Sequence, residues 1–316
     1  MDGSRINSKQ GCTFAVYQNY MKPIPSKVLI ILAFIAIYII WGSTYLLNKI
    51  AVTELPAFFL ASVRFFFSSI LLFGLAKITG AKIGISKRQL LNSLIVGFLF
   101  MVSGNGIFVW ALKYLDSGFA ALLASTHPLF VLIMMRLIDK KKMKTKSIIG
   151  VALGIIGMYL LVSQKEFVTD DDTLIGILMI FVCIIGWSYA GVFVAKADLP
   201  KSPLVSTGYQ MAIASVLLAI ISFALGEEWT SPLIWSSDVK WSMILLIIFG
   251  SIVAFTAFNY LLKEVSTEKV ATSSYVNPIV ALILGWYVLD EQLTTQSIIA
   301  AVILLAGVYF ITSRKK

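Results

Sequence analysis

"SIIGVALGIIGMY", residues 147–159, and "SIIAAVILLAGVY", residues 297–309, are two spellings of one apolar helix, set 150 positions apart. The same offset lays residues 97–163 on 247–313 without a gap and gives 14 identities in those 67 positions. "WALKYL" at 110–115 thereby falls on "YLLKEV" at 260–265. With a small shift, "IIWGSTY" at 39–45 resembles "IIGWSYA" at 184–190, and Pro56 and Pro203 each open the second helix of a half. The chain therefore reads as one unit used twice, over 28–163 and 174–313, behind an N-terminal tail of residues 1–27.

The unit is built for lipid. The chain is 59% hydrophobic and 13% charged, against roughly 45–50% and about 25% in soluble domains. Apolar runs long enough to cross a ~30 Å hydrocarbon core as helices are expected near 28–49, 56–77, 91–112, 117–138, 147–163, 174–194, 203–225, 241–262, 268–289 and 296–313. A barrel is excluded, because its strands need only about ten residues of alternating polarity. The expected fold is thus an all-α polytopic membrane protein of ten transmembrane helices, five in each repeat. Five is odd, so the second copy enters from the opposite side and the halves are inverted about an axis in the membrane plane. Two inverted halves can exchange conformations around a site near the midplane, which is the logic of alternating access.

The net charge of +10 follows topology and not a nucleic-acid partner. With the N-terminus in the cytoplasm, 21 of the 26 basic residues fall on the cytoplasmic side, and Lys49, Lys113, Lys165 and Lys240 face out, with Arg64 inside a span. Of the 16 acids, 11 fall outside. This is the positive-inside pattern; it places both termini in the cytoplasm of a multi-pass cell-membrane protein, with "DKKKMKTK" at 139–146 as a topology anchor. Met21, beginning "MKPIPSK", is a candidate start, and the first apolar run reads as a retained helix because no small-residue cleavage site follows it. Cys12 and Cys183 offer neither a disulfide framework nor a metal spacing.

"WGSTYLLNKIA" with "LPAFFLASVRF" at 41–65, and "VNPIVALILGWYVLDEQLTTQSIIAAVILLAGVYFI" at 276–311, resemble the EamA-like branch of the drug/metabolite transporter superfamily. The resemblance covers roughly 28–313. It implies a ten-helix exporter or exchanger of small metabolites in a cell membrane, with substrates among amino acids, organic bases and drugs. Glu291 matches the family's acidic residue after the ninth helix. The first half departs there, with Asp139 followed by three lysines, so no role transfers to that position.

Polar residues inside the spans are the candidates for a substrate site. The only histidine, His127, precedes Pro128 in "STHPLF"; its repeat twin is Asn277 before Pro278 in "YVNPIV". Each proline removes a backbone hydrogen bond, and each lies about ten residues, or ~15 Å, from its helix end. Helix breaks are expected at Pro128 and Pro278, with His127 and Asn277 either satisfying freed carbonyls or tying neighbouring helices together, or else lining a cavity, the case that includes proton coupling by His127. Arg64 lies about eight residues into the second span, where charge costs at least ~2.5 kcal/mol. Aligning the two prolines makes Met211 its repeat partner. Snorkelling, pairing inside the protein and binding an anionic substrate group are the three readings of Arg64. Asn105, between Gly104 and Gly106, marks either close helix packing or an opened backbone. Trp41, Tyr45, Trp187 and Tyr189 either fill the core or wall a cavity that stacks planar or cationic solutes.

An intramembrane enzyme is the rival from another class. One histidine, no buried carboxylate pair, no phosphate-binding glycine loop and no Gly-x-Ser-x-Gly elbow speak against it. A channel would need charge rings or filter carbonyls. A lipid-embedded scaffold stays open, but every loop is short, the longest outer one spanning about 226–240. The expectation is a secondary transporter of a small-molecule substrate, without cofactor or metal; pairing into homodimers is left open.

Overall fold

A computed structural model of the chain describes residues 26–139, 145–163, 171–194, 197–265, 270 and 273–312. The N-terminal tail with Met21, most of the basic run at 139–146 and Asp170 lie outside the described residues. The described residues are helical, without strands. In the first half these are α1 (Ser26–Ile35), α2 (Trp41–Val52), α3 (Ala57–Ile78), α4 (Lys87–Gly97), α5 (Ile107–Ala111), α6 (Ser117–Ala124), α7 (His127–Asp139) and α8 (Thr145–Val162). In the second they are α9 (Asp171–Val194), α10 (Pro203–Ala224), α11 (Ser237–Leu245), α12 (Ala254–Glu264), α13 (Ser273–Leu289) and α14 (Thr295–Thr312).

Three π-helical stretches interrupt these runs: Ala36–Ile40 joins α1 to α2, Phe98–Gly106 joins α4 to α5, and Leu246–Val253 joins α11 to α12. The latter two occupy overlapping positions of the repeat, since 98–106 plus 150 is 248–256. Among the described residues seven helical runs are long and apolar enough to cross a membrane, and Thr145–Leu160, Val276–Leu289 and Thr295–Phe310 are shorter apolar stretches.

The most extensive helix pairings join α3 to α10 and α8 to α14, each a helix of the first half with its repeat counterpart. α3 and α10 are both 22 residues long. Each ends in a left-handed glycine, Gly80 at φ 73° and Gly226 at φ 69°, whose next residue turns back to the helix: Ala81 N–H donates to Ala76 O (2.8 Å) and Glu227 N–H to Ser222 O (3.0 Å). These ends set the register at 146 residues, so Arg64 is matched by Gln210, correcting the partner Met211 that the prolines suggest. The physical reason is that Pro56 caps its helix from outside, whereas Pro203 is the first helical residue. In α8 and α14 the twin glycines Gly157 and Gly307 let the backbones meet. A Cβ on Gly157 would lie 2.8 Å from Leu304 Cγ, and one on Gly307 2.8 Å from Gly150 O.

Candidate functional site

Arg64 is the eighth residue of α3, about 11 Å from its start at 1.5 Å per residue. Its side chain is 3% exposed, so it does not snorkel. Nε donates to Ser251 Oγ at 2.9 Å and Nη1 to Asn48 Oδ1 at 3.4 Å. Both acceptors are neutral, and among the described residues no carboxylate pairs with the guanidinium. Of the three readings, burial removes snorkelling, and the partners found supply hydrogen bonds without neutralising the charge.

The second half brings Ser251 to Arg64 on its π stretch. There the neighbouring Gly250 O accepts from Trp41 Nε1 at 3.3 Å, so Arg64 and Trp41 converge on adjacent residues of one distorted turn. Trp41 packs on Phe258 (ring centroids 4.9 Å apart), Phe255 (5.5 Å) and Trp187 (6.5 Å), and Trp187 continues to Phe100 at 4.7 Å. Gly104 is required by this packing, since a Cβ there would lie 2.7 Å from the Trp187 ring. Asn105, one residue on, keeps a buried Oδ1 without a partner. Tyr45 packs edge-on to Phe108 at 5.3 Å.

Asn277 is tied to the first π stretch. With its amide nitrogen turned to the surrounding carbonyls, it donates to Ile37 O (3.1 Å), Tyr38 O (3.1 Å) and Ser273 O (3.2 Å). Asn277 thus supplies donors to carbonyls of the first π stretch and links α13 to it. Its twin differs: His127 Nε2 is buried without a hydrogen-bond partner. The prolines differ too. The chain breaks at Ser125–Thr126, so Pro128 is the second residue of a new helix, α7, whereas α13 runs through Pro278. A helix break is therefore found before Pro128 and not at Pro278; α13 begins only five residues earlier, so Pro278 sits in its second turn. Tyr189 stands apart from the aromatic cluster. It is 43% exposed and lines a recess of about 240 Å³ with Arg88, Asn92, Phe193 and Asp198.

A second constellation, of which the sequence singled out Glu291 but none of the contacts, gathers at the end that the charge bias assigns outside. The Glu227 carboxylate accepts from Phe58 N–H (3.2 Å) and Phe59 N–H (2.8 Å), capping α3. The Glu291 carboxylate accepts from Ser117 N–H (2.7 Å) and Gly118 N–H (3.0 Å), capping α6. Lys49 Nζ donates to Leu112 O and Leu115 O, both at 2.8 Å, closing the C-terminal end of α5. Asp116 is raised above the ordinary carboxylate value, first by burial and then by the charge of Glu291, with Lys49 opposing. Long-range contacts between loops leave no local pattern. Asn48 and Gln210 were findable, as further polar residues inside spans.

The EamA-like transporter family model matches residues 28–163 and 174–313. An uncharacterized inner membrane transporter, YedA of Escherichia coli (strain K12), is 33% identical over 284 residues, 90% of each chain. The uncharacterized transporter YoaV of Bacillus subtilis (strain 168) is 25% identical over 92% of this chain and 99% of its own length. A probable amino-acid metabolite efflux pump of Salmonella typhimurium is 22% identical over 86% of this chain and 91% of its own. A solved crystal structure shares the fold at a TM-score of 0.66 and 17% identity, covering 88% of this chain and 94% of that one.

Proposed function

This chain belongs to the EamA-like transporter family, and on that premise we propose that it carries small organic metabolites across the cell membrane by alternating access, as an exporter or exchanger. The chain crosses the membrane ten times in two inverted five-helix repeats, with both termini in the cytoplasm. The pairing of α3 with α10 and of α8 with α14 supports that arrangement, because a two-fold axis between halves brings equivalent helices together. Substrates are sought among amino acids and related metabolites, the class that the name of the Salmonella efflux pump gives.

The observation that carries the substrate reading is Arg64, a buried cation that among the described residues meets the neutral acceptors Asn48 and Ser251 and the Phe65 ring, 5.2 Å away, but no carboxylate. An anionic substrate group beside it would supply the missing charge, and Trp41, with the rings around it, would pack the substrate's apolar body. Trp187 packs against Trp41 there; Asn277, Tyr45, Asn105, His127 and Tyr189 are the further candidates.

Counterflow in sealed liposomes tests this with a panel of labelled amino acids, amines and organic acids. Wild-type protein is expected to exchange at least one solute carrying a carboxylate. Arg64→Gln should weaken its apparent affinity by roughly tenfold or more, since a charge-assisted bond of about 1.5–3 kcal/mol is lost. Unchanged affinity in both Arg64→Gln and Arg64→Lys would sink the anion reading, and exchange of no solute would sink transport.

A further inference from the structure

We propose that Glu291 and Asp116 are alternative caps of one helix, α6, so that Glu291 shuts this end of the bundle and Asp116 takes its place when the end opens. The proposal rests on the transporter reading above and names its gate.

Asp116 holds the N-cap position of α6 in extended geometry, ψ 149°, yet its side chain makes no capping bond. Aspartate is among the preferred residues there because its carboxylate accepts an orphan N–H of the first turn. Here Glu291, which follows α13, has taken the first-turn donors of Ser117 and Gly118. The fit is close: a Cβ on Gly285 would overlap the Glu291 carboxylate, and one on Gly118 would lie 3.4 Å from Glu291 Oε2. α6, the half of this helical segment at the Glu291 end, has its most extensive helix pairing with α13, beside smaller ones with α2, α9 and α14, whereas α7, beyond the Ser125–Thr126 break, packs chiefly on α9. The two segments thus meet at one end of the bundle, and the Glu291 contact lies where an opening motion would part them. Glu227 differs, since it bridges α3 and α10, which pair closely.

Each state then has its own contact. In the closed state Glu291 caps α6 and Asp116 lies half-buried beside it. In the open state Glu291 is withdrawn and Asp116 caps its own helix, so α6 never loses its acceptor. Protons bias the exchange. Burial and then the Glu291 charge raise Asp116 above 3.8 in the closed state, whereas hydrogen bonds from helix N–H groups favour the charged form in the open state. The closed state therefore binds the proton more tightly, and acid shuts this end as pH falls toward the raised value. The charged groups facing Asp116 are Glu291 from the loop after α13 and Lys49 from α2, whose Nζ is held by Leu112 O and Leu115 O.

Ser117→Cys reports the gate. Ser117 is 0% exposed and its hydroxyl has no partner, so the thiol replaces no hydrogen bond. In a chain carrying Cys12→Ser and Cys183→Ala, in lipid nanodiscs, maleimide labelling at this position measures opening without any substrate. Glu291→Gln should label about fivefold faster, because a charged cap bond becomes a neutral one. Asp116→Ala should label about fivefold slower, having lost the cap of the open state. Asp116→Asn, a cap without the charge, should label at a rate between wild type and Asp116→Ala at neutral pH, and this ordering is the folding control. Normalised to free cysteine, it should also lose the slowing that acid causes in wild type. Wild-type labelling in both Glu291→Gln and Asp116→Ala overturns the caps, and leaves transport standing if counterflow persists. The predicted labelling changes without exchange of any solute leave the caps standing and overturn transport instead.

Discussion

Arg64 shows what burial alone decides. A guanidinium 3% exposed in a span cannot reach headgroup water, and two neutral acceptors satisfy geometry without balancing charge. Asn277 and His127 make the complementary comparison, because they are twins in the repeat and differ in environment. The Asn277 amide serves three carbonyls, two of them in the Ala36–Ile40 π stretch. Its counterpart His127 has an unpartnered Nε2, and α9, the repeat equivalent of that interrupted helix, is continuous from Asp171 to Val194. Asn277→Ala is therefore expected to destabilise the protein by about 1–3 kcal/mol, the cost of leaving buried carbonyls unserved. His127→Leu, which removes no bond at Nε2, should stay within about 1 kcal/mol. Thermal unfolding of both variants in one detergent checks this, and equal Tm losses would refute the assignment of partners.

At the scale of elements, the α3–α10 pair has a built-in inequality. The residue after each terminal glycine turns back onto its own helix, Glu227 after Gly226 and Ala81 after Gly80, and Glu227 also reaches the start of α3. Only the Glu227 side carries a carboxylate cap, and α10 begins with Pro203, whose nitrogen has no proton to cap. Glu227→Gln should lower the local stability of the first turn of α3 by roughly 1 kcal/mol, from the cap and the helix dipole together. Amide hydrogen exchange at Phe58 and Phe59 should then rise about fivefold, by the same arithmetic; unchanged protection would mean that water caps this helix as well.

Much of this layer was legible in the sequence. Hydropathy located the apolar helical runs, because lipid demands long apolar helices, and the 150-residue self-match located α8 with α14, because duplication leaves identities; α3 and α10, in a 146-residue register, lie outside it. Arg64, Trp41 and Asn277 were legible as polar or aromatic residues at depth. The π stretches were not, since a helix apolar on every face carries no period from which a slipped residue is read. Nor were the Glu227 and Glu291 caps, whose partners lie 168 to 174 residues away. The proline alignment placed Arg64 against Met211 because it took two different helix positions for one.

For the whole molecule the deciding property is inversion, and the charges make it testable at equivalent points of the two halves. Gly80 and Gly226 end paired helices of equal length. After Gly80 the chain carries Lys82, Lys87 and Arg88; after Gly226 it carries Glu227 and Glu228. If the repeats were parallel, these two turns would share one face of the membrane, and the basic turn would be retained against the positive-inside bias on one of them. If they are inverted, the turns lie on opposite faces, and each carries the charge its face favours. Lys82→Cys and Glu228→Cys, placed singly in the chain with Cys12→Ser and Cys183→Ala, separate the cases in whole cells. Impermeant maleimide should label Glu228→Cys from outside and Lys82→Cys only after the membrane is opened. Labelling of both positions from one side would remove the inverted repeat and with it the exchange of equivalent halves that alternating access requires.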